Sequence, residues 1–107
     1  MAASAASGDA QAGQMMLRRT DADWFDLPKS RLAQVLRPRS IPSEVVAGGG
    51  THRIRVSGIE ISFSAEDPGW LISFEGDLLE ADAQRIVDEI CRNIVEFTAQ
   101  EAVVVPL

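Results

Sequence analysis

Several residue types are scarce in this chain of 107 residues, which has one cysteine, one histidine and no tyrosine. A single cysteine excludes an internal disulfide and a cysteine-based zinc site, and a single histidine excludes a metal site built on two histidines. No apolar run approaches the roughly 20 residues that a membrane-spanning helix needs, so we expect no membrane partner. The amino terminus lacks the charged and apolar regions of a secretory signal, which together with the lone thiol favours the cytoplasm.

Basic residues are outnumbered by acidic ones, ten to sixteen, and the formal net charge is −6. This charge disfavours nucleic-acid binding, which needs a dominant positive field. The charge is also uneven, since residues 1–57 carry +3 and residues 58–107 carry −9. Nine of the ten basic residues are arginine, which is typical of a GC-rich bacterial genome. An uneven distribution of charge along a chain gives information about its partners and its solubility rather than about its fold.

The first 14 residues of the chain have almost nothing that a core could bury. We predict a disordered tail over residues 1–22, an arm with one helix and a Gly/Pro-rich linker over residues 23–50, and a compact domain over residues 51–107. Within the arm, residues 24–37 predict a helix of about ten residues that buries Leu32, Val35 and Leu36. Such a helix is too short to be stable unless it docks on the domain.

From His52 onward, apolar residues recur at every second position, which predicts strands. The apolar phase slips by one residue across Ser57-Gly58, as a two-residue hairpin turn requires. This turn pairs residues 52–56 with 59–63 and places Arg55 opposite Glu60. A four-residue turn at 66–69 then adds a third antiparallel strand, with Phe63 opposite Ile72.

A long apolar stripe with a period of 3.6 residues predicts a helix from about Leu78 to Thr98. Asp77 and Glu80 resemble a capping box at its start. Residues 102–105 predict a last strand that Pro106 stops. We therefore predict an α+β fold, with a short N-terminal helix followed by βββαβ, and a mixed four-stranded sheet of order 3-2-1-4 packed on one long helix.

One face of this sheet is left without a helix. It carries polar residues, but also Leu71 and part of the run 103–105, which are typical of a face that something covers. Three coverings remain open, namely the N-terminal helix, a second copy of the chain and a heterologous partner.

No residue pattern predicts catalysis, a cofactor or a metal. His52 is interpreted as a histidine at the edge of the core, and Cys91 as a buried, inert thiol. The carboxylate pairs at 66–67 and 75/77 match no metal-binding loop. Residues 48–50 are three glycines without the lysine of a phosphate-binding loop. We therefore expect no enzyme.

The βββαβ order resembles the first half of the ribonuclease-H-like fold. Nucleases of that fold need carboxylates on the first strand, the helix and the fourth strand, and the strand positions here offer none. Residues 60–78, EISFSAEDPGWLISFEGDL, resemble the strand-turn-strand of HicB-type antitoxins, which use a truncated version of that fold. This likeness covers about twenty residues and lacks the family's proline-glycine signature, and it transfers no residue roles.

The leading hypothesis is a small acidic module that binds a protein, either an immunity- or antitoxin-type neutraliser that acts by occlusion or an accessory partner. Its acidic surface from Glu66 to Glu80 would meet a basic target, with charge steering the encounter. The alternative is a homo-oligomeric structural or accessory subunit held by the last strand and Leu71. The candidate partner-binding residues are Trp24, Phe25, Glu66, Asp67, Trp70, Leu71, Glu75, Asp77, Glu80 and Val104.

Overall fold

The computed structural model describes residues 13–66 and 69–107. These residues form one antiparallel sheet, one long helix and a short helical segment. The strands are β1 (Met15–Arg19), β2 (Glu44–Val45), β3 (His52–Val56), β4 (Ile59–Glu66), β5 (Gly69–Glu75) and β6 (Ala102–Pro106). The helices are α1 (Leu32–Val35) and α2 (Glu80–Thr98).

The two predicted hairpins are confirmed. β3 pairs with β4 in the predicted register, with His52 opposite Phe63 and Arg55 opposite Glu60. β4 pairs with β5 so that Phe63 lies opposite Ile72. Ser57 and Gly58 both have positive φ angles, 50° and 82°, as the central residues of a type I′ turn require.

The predicted mixed four-stranded sheet of order 3-2-1-4 is wrong. The described residues form a six-stranded sheet of order β2-β3-β4-β5-β1-β6, in which every neighbouring pair is antiparallel. The last strand therefore has no parallel neighbour, because β1 lies between β5 and β6. The crossover through α2 skips one strand, and β1 fills the gap.

The strand β1 was not predicted, because its sequence, MMLRR, has no β-branched or aromatic residue. Its alternation is nevertheless regular, since Met15 and Leu17 are buried while Met16 and Arg18 lie on the other face. We predicted a disordered tail over residues 1–22, and its first 12 residues lie outside the described part of the chain. Within the described part, residues 15–19 of that tail form β1, a central strand that pairs on both sides.

The predicted N-terminal helix over residues 24–37 is also wrong. The chain makes a 3₁₀ turn at Lys29–Arg31 and one α-helical turn, α1, before Leu36 leaves the helical region with ψ of 64°. Pro38 follows, and it disfavours helical backbone at the residue before it. The predicted apolar face still forms, because Leu32, Val35 and Leu36 join the core.

α2 begins without the predicted capping box. Its N-cap is Leu79, and no side chain caps the first turn. Asp77 lies before the cap, so its carboxylate does not serve as the N-cap acceptor. At the other end Ala99 takes a left-handed conformation with φ of 59°, and its N–H bonds to the Val95 carbonyl.

The core lies between α2 and one face of the sheet. α1 also packs against α2, on the same side. The opposite face of the sheet, called here the open face, is therefore not covered by the N-terminal arm. At the rim of this face Gly69 is required, because a Cβ there would lie 2.2 Å from the Leu17 carbonyl oxygen.

Candidate functional site

A small cleft on the helix side of the sheet brings several predicted partner-binding residues together. This aromatic cleft has a volume of about 180 Å³. It is lined by Trp24, Phe25, Leu27, Lys29, Leu32, Thr51, Ala65 and Trp70. Pockets for small ligands usually measure roughly 300–1,000 Å³, so the cleft suits one apolar side chain better than a small molecule.

The segment that carries Trp24 is held in place by hydrogen bonds. Arg19 donates through Nη1 to the Trp24 carbonyl over 2.7 Å. The Asp26 N–H donates to Gln100 Oε1, and Gln100 Nε2 donates back to Asp26 Oδ2, both over 3.0 Å. Trp24 is nonetheless 46% exposed. An exposed tryptophan on a fixed backbone is a typical anchor of protein interfaces, because little conformational freedom is lost on binding.

Carboxylates flank this cleft in the chain. Asp23 and Asp26 adjoin its aromatic residues, and Glu66 follows Ala65; all three are exposed. Within the described residues none of the three forms an ion pair. Lys29 is the one cation in the lining. Three exposed carboxylates thus adjoin lining residues in the sequence, while the lining itself carries one lysine.

The predicted acidic surface from Glu66 to Glu80 does not form as one patch. Glu66 lies at one end of the β4–β5 hairpin and Glu75 at the other. Glu75 is moreover bound by Arg53, whose Nη2 lies 2.8 Å from its Oε2. Asp77 and Glu80 are exposed beyond that second end, and Asp67 lies outside the described residues.

An ion-pair network covers the open face along β2 to β5. Arg53 lies 2.8 Å from Glu60 as well as from Glu75, while Arg55 bridges Glu60 and Glu44 at 3.0 Å each. Hydrogen bonds from Arg55 and then Arg53 hold the pKa of Glu60 below its usual range. The arginines counted in the basic half of the sequence thus neutralise carboxylates of its acidic half.

The other part of the open face carries four apolar side chains, with Arg18 beside them opposite Val103. Leu71 on β5 lies beside Met16 on β1, which in turn lies beside Val105 on β6. Val103 lies two residues from Val105 on the same face. We call these four residues, all of them partly exposed, the apolar strip.

The outer edge of β6 has backbone groups without partners. The Leu107 N–H donates to the Gln14 carbonyl, and the Thr20 N–H donates to the Glu101 carbonyl. In an antiparallel pair such bonds alternate along the strand, so the backbone N–H and C=O groups of the odd-numbered residues of β6 point toward β1. The backbone groups of Ala102 and Val104 therefore point away from the sheet. In the described part of the chain they have no hydrogen-bond partner. Val104, predicted as a contact residue, packs its side chain against the core, so its backbone is what faces outward.

Other candidate features do not form a site. His52 Nε2 is buried without a partner beside the ring of Phe63, and burial lowers the pKa of this histidine. Burial likewise raises the pKa of the half-buried Cys91 thiol. A broader depression of about 670 Å³ lies between α2 and residues 34–43. Its polar groups satisfy one another, since Arg39 binds both Asn93 and Glu96.

Neither a metal centre nor a membrane-spanning helix is found in residues 13–66 and 69–107. No group of three or more His, Cys, Asp or Glu side chains there is placed to share a metal ion. No helix in the same residues is long and apolar enough to span a membrane.

Sequence reasoning missed Met16, Ala65 and Lys29 as parts of these two surfaces. Met16 belongs to a strand that was not predicted, and Ala65 and Lys29 come from segments far apart in sequence. The alternation of MMLRR was the available signal for Met16. Comparisons of the chain with protein-family models, with curated proteins and with solved structures each found no match.

Proposed function

We propose that this chain is a protein-interaction module that takes an apolar side chain of a partner into the aromatic cleft. The observation that supports this function is Trp24, half-exposed on a fixed backbone beside a cleft too small for most small-molecule ligands. Because carboxylates flank the cleft in the chain, the partner surface that fits it best is an apolar side chain surrounded by basic residues.

Within this proposal the biological role is that of an immunity- or antitoxin-type neutraliser or an accessory partner. Binding at the cleft would occlude a basic surface of the target, and no catalytic step is involved. The proposed location is the bacterial cytoplasm, where a free thiol such as that of Cys91 stays reduced.

The test is affinity capture at low salt from an extract of the organism that encodes the chain. We expect one basic protein to be captured by the natural sequence and lost with Trp24→Ala and with Ala65→Lys, which fills the cleft. Leu79→Ala is the matched control, because Leu79 is similarly exposed at 40% but lies outside the cleft.

The captured protein, once purified, gives a second readout. The only two tryptophans of the chain, Trp24 and Trp70, both line the cleft. Occupation of the cleft should therefore change the tryptophan emission. Capture that is equal in all variants would contradict binding at the cleft, and the absence of any captured protein would contradict the function itself.

A second candidate function is a homo-oligomeric structural or accessory subunit. The apolar strip and the outer edge of β6 favour it, because exposed apolar area beside an unpaired strand is typical of an interface. The strip lies on the open face and the cleft lies on the helix side of the sheet, so one molecule can use both surfaces.

A further inference from the structure

We infer that the outer edge of β6 is the site of self-association, where β6 of a second copy pairs antiparallel across a two-fold axis at Val104. This inference rests on the second candidate function and adds the interface and its register. The result would be one continuous sheet of two chains.

The two edges of the described sheet differ in how they resist pairing. β2 is only two residues long, and its Glu44 is engaged with Arg55. β6 has five residues, and positions 102–105 read Ala-Val-Val-Val without a charge. Natural proteins protect exposed edges with short strands, charges or proline. On β6 only Pro106 offers such protection, at one end.

The free backbone groups of β6 are complementary to themselves. Ala102 and Val104 each present an N–H and a C=O outward, while Pro106 presents only a C=O. Antiparallel pairing centred on Val104 lets Val104 bond to its own copy, and the Ala102 N–H meet the Pro106 carbonyl of the other chain. The missing N–H of Pro106 costs little there, since it falls at the end of the ladder.

Side chains select this register over pairing centred on Val103. With the axis at Val104, Val103 lies opposite Val105 of the other copy, and the two apolar strips join across the interface. With the axis at Val103, the exposed Glu101 would lie opposite Val105 and place a charge in the strip. A second copy fits better than an unrelated strand, because it brings the same uncharged residues and the same free donors.

The oligomeric state of the full chain is the first test. At micromolar concentration, light scattering should give twice the chain mass of 11.6 kDa. Val105→Lys places a charge in the strip without touching the core, and it should weaken self-association by at least about tenfold. Val45→Lys, a valine on the other edge that is 57% exposed, should leave the dimer intact.

Cysteine cross-linking tests the register. An oxidised mixture of Val103→Cys and Val105→Cys chains should form mixed disulfide dimers, because these positions oppose each other at a distance that a disulfide spans. The natural chain, which has only Cys91, is the control. Disulfide dimers of Val103→Cys with itself would overturn the register.

Two outcomes would overturn the self-association itself. One is a natural chain that remains monomeric at micromolar concentration. The other is a monomer that becomes a dimer when residues 1–12 are removed, since these residues rather than a second copy would then occupy the edge. Binding to the aromatic cleft is measured separately with Trp24→Ala, so failure of one proposal does not imply failure of the other.

Discussion

At the scale of single residues, His52 has an environment that couples folding to pH. It lies at the start of β3, with its ring centroid 5.8 Å from that of Phe63 and its Nε2 atom buried. Burial disfavours the charged imidazolium, which is why the pKa of His52 is lowered. The lowered pKa therefore links the protonation of His52 to the stability of the fold.

We expect the stability of the protein to fall as the pH is lowered from about 7.5 to about 5.5. The pKa of His52 in the folded protein lies below the unfolded value of about 6.5. Above that value the neutral His52 side chain gives its full contribution to the free energy of unfolding. This contribution is lost as the pH falls below about 6.5, because the unfolded chain then takes up a proton that the folded chain does not. Urea midpoints measured at both pH values should drop more for the natural chain than for His52→Phe. An equal drop in both proteins would contradict this origin. Carboxylates with lowered pKa values, such as Glu60, lose their contribution to stability only when the pH falls below their unfolded pKa. That loss lies outside the range from about pH 7.5 to about pH 5.5.

At the scale of elements, one side chain ties the N-terminal arm to α2. Asn93 is buried, and its Nδ2 donates to the carbonyls of Val35 and Arg37 over 3.2 and 2.7 Å. Its Oδ1 accepts from Arg39, and Glu89 accepts from the Ser40 N–H over 2.9 Å. The irregular segment after α1 thus has its backbone satisfied by α2 rather than by a longer helix of its own.

Asn93→Ala should therefore destabilise the protein by about 1–3 kcal/mol, because the carbonyls of Val35 and Arg37 lose their donor. Chemical denaturation measures this loss. Arg92→Ala, at an exposed neighbouring position whose side chain makes no hydrogen bond in the described residues, should change stability by less than about 0.5 kcal/mol. A loss for Asn93→Ala as small as that of this control would show that the arm does not depend on the amide.

At the scale of the whole molecule, one half of the open face is polar and the other half is mainly apolar, with Arg18 beside Val103. The ion-pair network occupies the side of β2 to β5, and the apolar strip occupies the side of β1 and β6. The N-terminal arm packs on the helix side of the sheet, so it does not cover the open face as one of the three sequence-based alternatives proposed. Of the three coverings considered from the sequence, a second copy is the one proposed for the apolar half.

Self-association should make stability depend on protein concentration. Since only the folded chain would pair, the thermal midpoint of the natural chain should rise by about 3 °C for each tenfold increase in concentration. The midpoint of Val105→Lys should stay constant over the same range. A constant midpoint for the natural chain would be evidence against a dimer under these conditions.

Local patterns were sufficient for the middle of the chain. The phase slip at Ser57-Gly58 determined the register of β3 and β4, because a one-residue shift would turn every apolar side chain to the wrong face. The stripe from Ala83 to Ile94 likewise determined which face of α2 is buried. These elements depend on interactions between residues that are close in sequence.

For the candidate site, the sequence named Trp24, Phe25 and Trp70 as contact residues, and the structure places all three at one cleft. The sequence could not separate them from the acidic residues Glu75, Asp77 and Glu80. That separation depends on which end of a hairpin each residue occupies and on the arginines opposite it, as Arg53 is for Glu75.

By itself, the sequence determined the two hairpins and the buried face of the long helix, because alternation, turn residues and helical period act over a few positions. Only the tertiary structure decided the place of β1. A strand of five residues without β-branched or aromatic side chains has weak local preference, and it forms because β5 and β6 on either side complete its hydrogen bonds. That insertion set the order of the sheet, exposed the outer edge of β6 and brought Met16 into the apolar strip.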